Sequence, residues 1–274
     1  MPIANVNDAK LYYEINGSGP DIVFIHGEDH SIALFERQIG HFSKSYRCIG
    51  YERRGHGRSQ LTPYGYSLHS QTGDLTGLLD YLQVSRAVIV AVAMATPIAT
   101  SFTLAYPDRV KGLVLSSWYE LDGYPLMEAR RKNKHPSTFG KFHMLEFEVM
   151  RDHGPQGLVA LFRKEGDALL PILPTDPEVR ERVMQMIASH PPEHFIKAAE
   201  YYTSMPNLTP RLKEISCPIL GICGTDDPSP DNPELLSGAR NFEQVWIPGA
   251  SRFAMLEAPE AFNNALEGFI GRLA

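Results

Sequence analysis

Two stretches of this 274-residue chain hold the pieces from which carbonyl chemistry is built. The first is Ala87-Val88-Ile89-Val90-Ala91-Val92-Ala93-Met94-Ala95-Thr96. It reads as a buried strand turning sharply into a helix. A serine nucleophile at such a turn takes the pattern small-x-Ser-x-small, with the hydroxyl at the apex. Here the order is Ala91-x-Ala93-x-Ala95, so the steric template is present with a methyl group at its apex, and a methyl group cannot attack a carbonyl. The second stretch is His26-Gly27-Glu28-Asp29-His30. It places two carboxylates and two imidazoles after the apolar run Asp21–Ile25, at a strand end of the kind where open α/β sheets bind ligands. Glu28 or His30 could act as general acid or base if it faces a pocket. The structural alternative has His26 bracing the turn by hydrogen bonds, Asp29 capping a helix from Ser31, and Glu28 facing solvent.

These stretches must be held by a larger framework, and the chain has the material for one. Hydrophobic residues make up 43%, enough for a sizeable core. A formal charge of −6 and a pI near 5.9 argue against a nucleic-acid or anionic-membrane surface. The one concentrated basic patch, Arg130-Arg131-Lys132-x-Lys134, reads as a solvated helix end. Cys48, Cys217 and Cys223 lie in or beside apolar runs without metal-like spacing, which points to buried free thiols. No leader-like start and no bilayer-length apolar run is seen, so a cytoplasmic location is expected. The spacing predicts strands at Lys10–Asn16, Asp21–Ile25, Tyr46–Tyr51, Ala87–Ala91, Val110–Ser116, Pro218–Cys223 and Gln244–Ile247. It predicts helices at Ile32–Phe42, Leu68–Leu82, Pro97–Ala105 and Pro259–Leu273. Strands alternating with helices imply βαβ units and a mostly parallel sheet. Between Trp118 and Lys213 the strand rhythm stops, and prolines punctuate an aromatic- and Met-rich stretch with helical spacing. The expected organisation is a core of residues 1–117 and 214–274 with a helical cap, 118–213.

With these elements in place, the chain resembles the α/β-hydrolase superfamily, most closely its small esterase, cofactor-free haloperoxidase and C–C hydrolase branch. The resemblance rests on motifs in order. They are His26-Gly27, then Tyr51-Glu52-Arg53-Arg54-Gly55-His56-Gly57-Arg58-Ser59, then the turn at Ala91–Ala95. Gly224-Thr225-Asp226-Asp227-Pro228 and Pro248-Gly249-Ala250-Ser251-Arg252-Phe253-Ala254-Met255-Leu256-Glu257-Ala258-Pro259 complete the set. It implies an α/β-hydrolase fold, an eight-stranded mostly parallel sheet flanked by helices, with an inserted cap. It also implies that Ala93 stands at the nucleophile position, Arg252 at the histidine position and Asp227 at the acid position. The backbone N–H groups of Glu28 and Met94 would form the oxyanion hole. Arg252 would bring a fixed charge suited to a carboxylate or enolate, or else pair structurally with Asp227.

Arginine stays protonated and cannot serve as the base of a serine mechanism. The expectation drawn from this is a cofactor-independent, non-hydrolytic enzyme: a lyase, decarboxylase, isomerase or cyclase acting on a hydrophobic carbonyl compound. Arg252, Asp227, Glu28 and His30 would be its catalytic residues. The alternatives are a small-molecule-binding pseudoenzyme, or an ester or C–C hydrolase whose displaced base activates water directly or whose serine 93 has been replaced. His26, Trp118, Tyr119 and Phe253 are candidate substrate contacts. No metal or cofactor motif is found, a small molecule is the expected partner, and a homodimer is left open.

Overall fold

A computed structural model describes residues 2–117, 121, 139–169, 173–191, 193, 197, 200–201, 204–227 and 238–273. Trp118, Tyr119 and the basic cluster at 130–134 lie outside the described residues.

Eight strands form one sheet: β1 (Ile3–Val6), β2 (Ala9–Asn16), β3 (Asp21–Ile25), β4 (Arg47–Tyr51), β5 (Ala87–Val92), β6 (Val110–Ser116), β7 (Ile219–Gly224) and β8 (Phe242–Ile247). Their spatial order is β1-β2-β4-β3-β5-β6-β7-β8. β1 pairs antiparallel with β2 and β2 with β4, while every other neighbouring pair is parallel. The expected eight-stranded, mostly parallel sheet is therefore observed. The helices are α1 (Glu36–Phe42), α2 (Leu68–Tyr81), α3 (Thr96–Ala105), α4 (Phe139–Leu169, broken at Gly154), α5 (Pro177–Ala188), α6 (Ala254–Glu257) and α7 (Pro259–Ile270). α4 and α5 lie between β6 and β7 in the chain and supply the inserted helical region.

The central strands are apolar on both faces because both faces are covered. Ile22, Phe24, Val88, Val90, Val114 and Leu220 share one core with Ile39, Phe42, Phe262, Leu266 and Phe269 of α1 and α7. Val23, Ile25, Ile89, Leu113, Leu115 and Ile219 face the other way, into a core with Leu75, Leu78, Ile98 and Phe102 of α2 and α3. Each fully buried side chain of this size contributes about 1.5–3 kcal/mol. Cys48, Cys217 and Cys223 are buried free thiols within these layers.

Two elements differ from the sequence reading. β1 is four residues long and sits at the sheet edge, too short to leave a clear alternation. The helix expected over Ile32–Phe42 divides into a 3₁₀ turn, Ile32–Phe35, followed by α1. Ser31, rather than Asp29, caps it: the Ser31 hydroxyl accepts from the Ala33 N–H, and Asp29 adopts a left-handed φ of 56°. Among the described residues no helix is long and apolar enough to cross a membrane.

Candidate active site

β3 and β5 are paired neighbours, so their carboxyl ends bring the His26–His30 turn beside the turn at Ala93. Val92 is extended, and Ala93 then takes a φ of 49°. A β-carbon in this region costs of order 1–3 kcal/mol when the surroundings impose it. The strain belongs to a nucleophile elbow, and it is kept although position 93 carries only a methyl group. The Thr96 hydroxyl donates to the Ala93 carbonyl at 2.8 Å, and the Tyr201 hydroxyl donates to that of Met94 at 2.5 Å. The elbow is thus pinned from α3 and from the inserted region.

Gly27 shows how closely the two turns meet. A Cβ built on it would lie 3.0 Å from His30 Nδ1 and 3.2 Å from the Ala93 methyl. The His30 imidazole and the elbow apex therefore flank one point above Gly27. His30 Nδ1 is buried and finds no hydrogen-bond partner among the described residues. Burial first, then the charges of Arg252, His190 and Arg53, lower the His30 pKa to about 3. The ring is neutral at ordinary pH, with a lone pair available once Nδ1 is the unprotonated nitrogen. Phe253 packs edge-on against it, with centroids 5.2 Å apart.

The other groups in this turn are committed to holding it. His26 Nε2 accepts the Arg53 backbone N–H at 3.1 Å, and its Nδ1 lies 2.8 Å from the Gly27 carbonyl, so both nitrogens are used. Burial, then Arg53, holds its pKa well below the ordinary value. A neutral tautomer with Nδ1 as donor satisfies both bonds. Glu28 does not face solvent: it is buried, and Arg53 donates to its Oε2 at 2.6 Å. Arg53 also donates to Gln71 Oε1 at 3.0 Å, and His56 Nε2 lies 3.2 Å from Glu28 Oε1. An acid fixed by a buried guanidinium is an anchor for the loop before it is a proton carrier.

Three further features were not anticipated from spacing. His190 follows α5, and its Nε2 lies 3.1 Å from the His30 carbonyl, a link across 160 residues that no local pattern announces. Tyr201 lies in the aromatic- and Met-rich stretch, where spacing carries no sign of its hydroxyl reaching the elbow carbonyl. Ser117, one residue beyond β6, takes a φ of 53° and donates its hydroxyl to Asp227 Oδ2 at 2.5 Å. Asp227, three residues beyond β7, and Arg252, before α6, are both buried. After burial, the charge of Arg252 is the next cause that lowers the His30 pKa.

A family model described as alpha/beta hydrolase fold matches residues 20–259. The chain is similar to a 3-oxoadipate enol-lactonase of Acinetobacter baylyi, 24% identical over 97% of this chain and 94% of the relative. It is 28% identical to a putative carbamate hydrolase of Azorhizobium caulinodans, over 100% of this chain and 99% of the relative. Among solved structures, a thermophilic esterase from Thermogutta terrifontis superposes with a TM-score of 0.78 at 25% identity, covering 97% and 94% of the two chains. These relatives are esterases and lactone or carbamate hydrolases, and epoxide hydrolases match over shorter stretches. They overturn the expectation of a lyase, decarboxylase, isomerase or cyclase, and with it the view of the site as a degenerate triad that has left hydrolysis behind. That expectation weighed the side chains at 93 and 252 above the surrounding frame, which matches the alpha/beta hydrolase fold over residues 20–259. The chain belongs to the alpha/beta hydrolase fold family.

Proposed function

We propose that this protein hydrolyses a small ester or lactone that carries a carboxylate, and that His30 is the displaced base that activates water. The observation that carries the reading is the buried His30 Nδ1, without a hydrogen-bond partner among the described residues and facing the Ala93 methyl across Gly27. Water standing above that methyl would occupy the place a serine hydroxyl takes in a nucleophile elbow. His30 would take its proton as the oxygen attacks the carbonyl carbon. The backbone N–H groups of Glu28 and Met94 would receive the developing oxyanion. A resting pKa of about 3 leaves the imidazole a weak base. The negative charge forming beside it raises its basicity in the transition state, where it counts. Arg252 supports the preference for a carboxylate, since a buried guanidinium close enough to depress His30 also attracts an anion. The lactone and carbamate hydrolases among the full-length relatives support the reaction class.

The test is a panel of small lactones and aryl esters, each with and without a carboxylate, run in ¹⁸O-labelled water. Turnover of carboxylate-bearing members, with label in the acid product, is the expected result. His30→Asn should lose about 10²–10⁴-fold in kcat, the usual contribution of a general base. A folded protein that turns over none of the panel, or a His30→Asn variant of unchanged rate, would end the reading.

A further inference from the structure

Two parallel neighbours in the middle of this sheet each lead into a residue with a left-handed φ. Ala93 leaves β5 with a φ of 49°, and Ser117 leaves β6 with a φ of 53°. β5 and β6 are parallel neighbours with Val92 paired to Ser116, so both strained residues stand one step beyond the last paired position, on the same edge. Adjacent strands lie about 4.8 Å apart. The two residues are equally withdrawn from solvent, at 2% and 1% exposure. Only one carries a hydroxyl, and it is the one on β6. The Ser117 Oγ–H points at Asp227 Oδ2 at 2.5 Å, while the Ser117 N–H is directed to Cys223 Sγ at 3.2 Å. A positive φ in a residue with a β-carbon persists only where the surroundings impose it, and such residues gather at sites of chemistry.

We infer that Ser117 and Asp227 form a Ser–Asp dyad, in which the nucleophile has moved one strand from the elbow. The step balances without a histidine at position 252. The Ser117 oxygen attacks the carbonyl carbon as Asp227 Oδ2 takes its proton. The carbon–oxygen bond to the leaving alkoxide breaks, and Asp227 returns the proton to that oxygen. Water then cleaves the acyl-serine, releasing the acid and restoring the hydroxyl. The dyad rests on the hydrolase reading and deepens it: the water activated at His30 would attack an acyl-serine instead of the free substrate.

A fluorophosphonate probe tests the dyad independently of the substrate. The expected result is one adduct per chain, mapped by peptide mass spectrometry to Ser117 in the wild-type protein. Asp227→Asn should slow labelling by about a hundredfold or more, and Ser117→Ala should abolish both adduct and turnover. Ser117→Gly, which relieves the positive φ, should keep or raise the melting temperature while losing the adduct, which separates chemistry from folding. Folded wild-type protein that takes no label, or takes it elsewhere, overturns the inference. So does Ser117→Ala that hydrolyses the ester panel at full rate, an outcome that leaves the His30 water mechanism standing. Labelling at Ser117 in a protein that hydrolyses nothing would support the dyad and end the proposed function.

Discussion

His30 shows how a side chain acquires a role from what is withheld from it. Burial and neighbouring positive charge keep it neutral down to about pH 3, whereas an unburied histidine titrates near 6.5. If neutral His30 is the base, the acid limb of kcat/KM lies below pH 5, because that limb reports the free enzyme's essential base. A limb near pH 6.5 in a pH–rate profile would assign the proton transfer to another group. Ala93 offers a second measurement. Its φ of 49° suits glycine, so Ala93→Gly should stabilise the fold by about 1 kcal/mol, read by denaturant titration. Little of this was legible in residue types. The His26–His30 stretch declared its chemistry by composition, but nothing in it distinguished His30, whose Nδ1 has no hydrogen-bond partner among the described residues, from His26, whose nitrogens are both used. That difference depends on the Arg53 backbone N–H, which the fold brings to His26 Nε2.

At the level of elements, the loop after β4 is the bracket that fixes the site. Arg53 and Arg54 are both buried, facing Glu28 and Asp74 respectively. Arg54 Nε donates to Asp74 Oδ2 at 2.6 Å, and Asn7 Nδ2 donates to Asp74 Oδ1 at 2.8 Å, so the turn after β1, the loop and α2 meet at one carboxylate. Removing one partner strands the other charge in the interior. Asp74→Leu should therefore cost about 3–5 kcal/mol in urea unfolding, and a smaller loss would show that water reaches Arg54. The elements themselves were largely readable. Asp21–Ile25 and Val110–Ser116 coincide with the expected strands, because turn residues bound short apolar runs on both sides. The edge strand β1 and the divided helix after Ser31 were not, since four residues carry too little periodicity and a 3₁₀ turn shares helical spacing. The contacts of His190 and Tyr201 with the two turns were illegible in principle: they join distant parts of the chain through single hydrogen bonds.

For the whole molecule, buried neutral histidines set a direction for stability against pH. A histidine whose folded pKa lies below its unfolded value binds fewer protons when folded, so stability falls as pH drops through 6.5 toward the folded pKa. His30 alone should remove about 3 kcal/mol between pH 7 and pH 4, and His26 acts in the same direction. Denaturant titrations at the two pH values should show that loss shrinking by a similar amount in His30→Asn. An unchanged pH dependence would place His30 in contact with water. The frame around the site has a different kind of permanence. A Cβ on Gly224 would fall 1.9 Å from the Ala250 carbonyl oxygen and 2.4 Å from that of Ser251, so the backbone leading to Arg252 lies directly on the end of β7. The loop meets the strand end main chain against main chain, and Glu257 holds it from α6 by accepting from the Ser251 N–H at 2.8 Å. A substitution at 252 leaves that backbone contact in place, whereas any side chain at 224 would push the whole loop off the strand, so a glycine with no chemistry of its own governs where the neighbouring charge can stand.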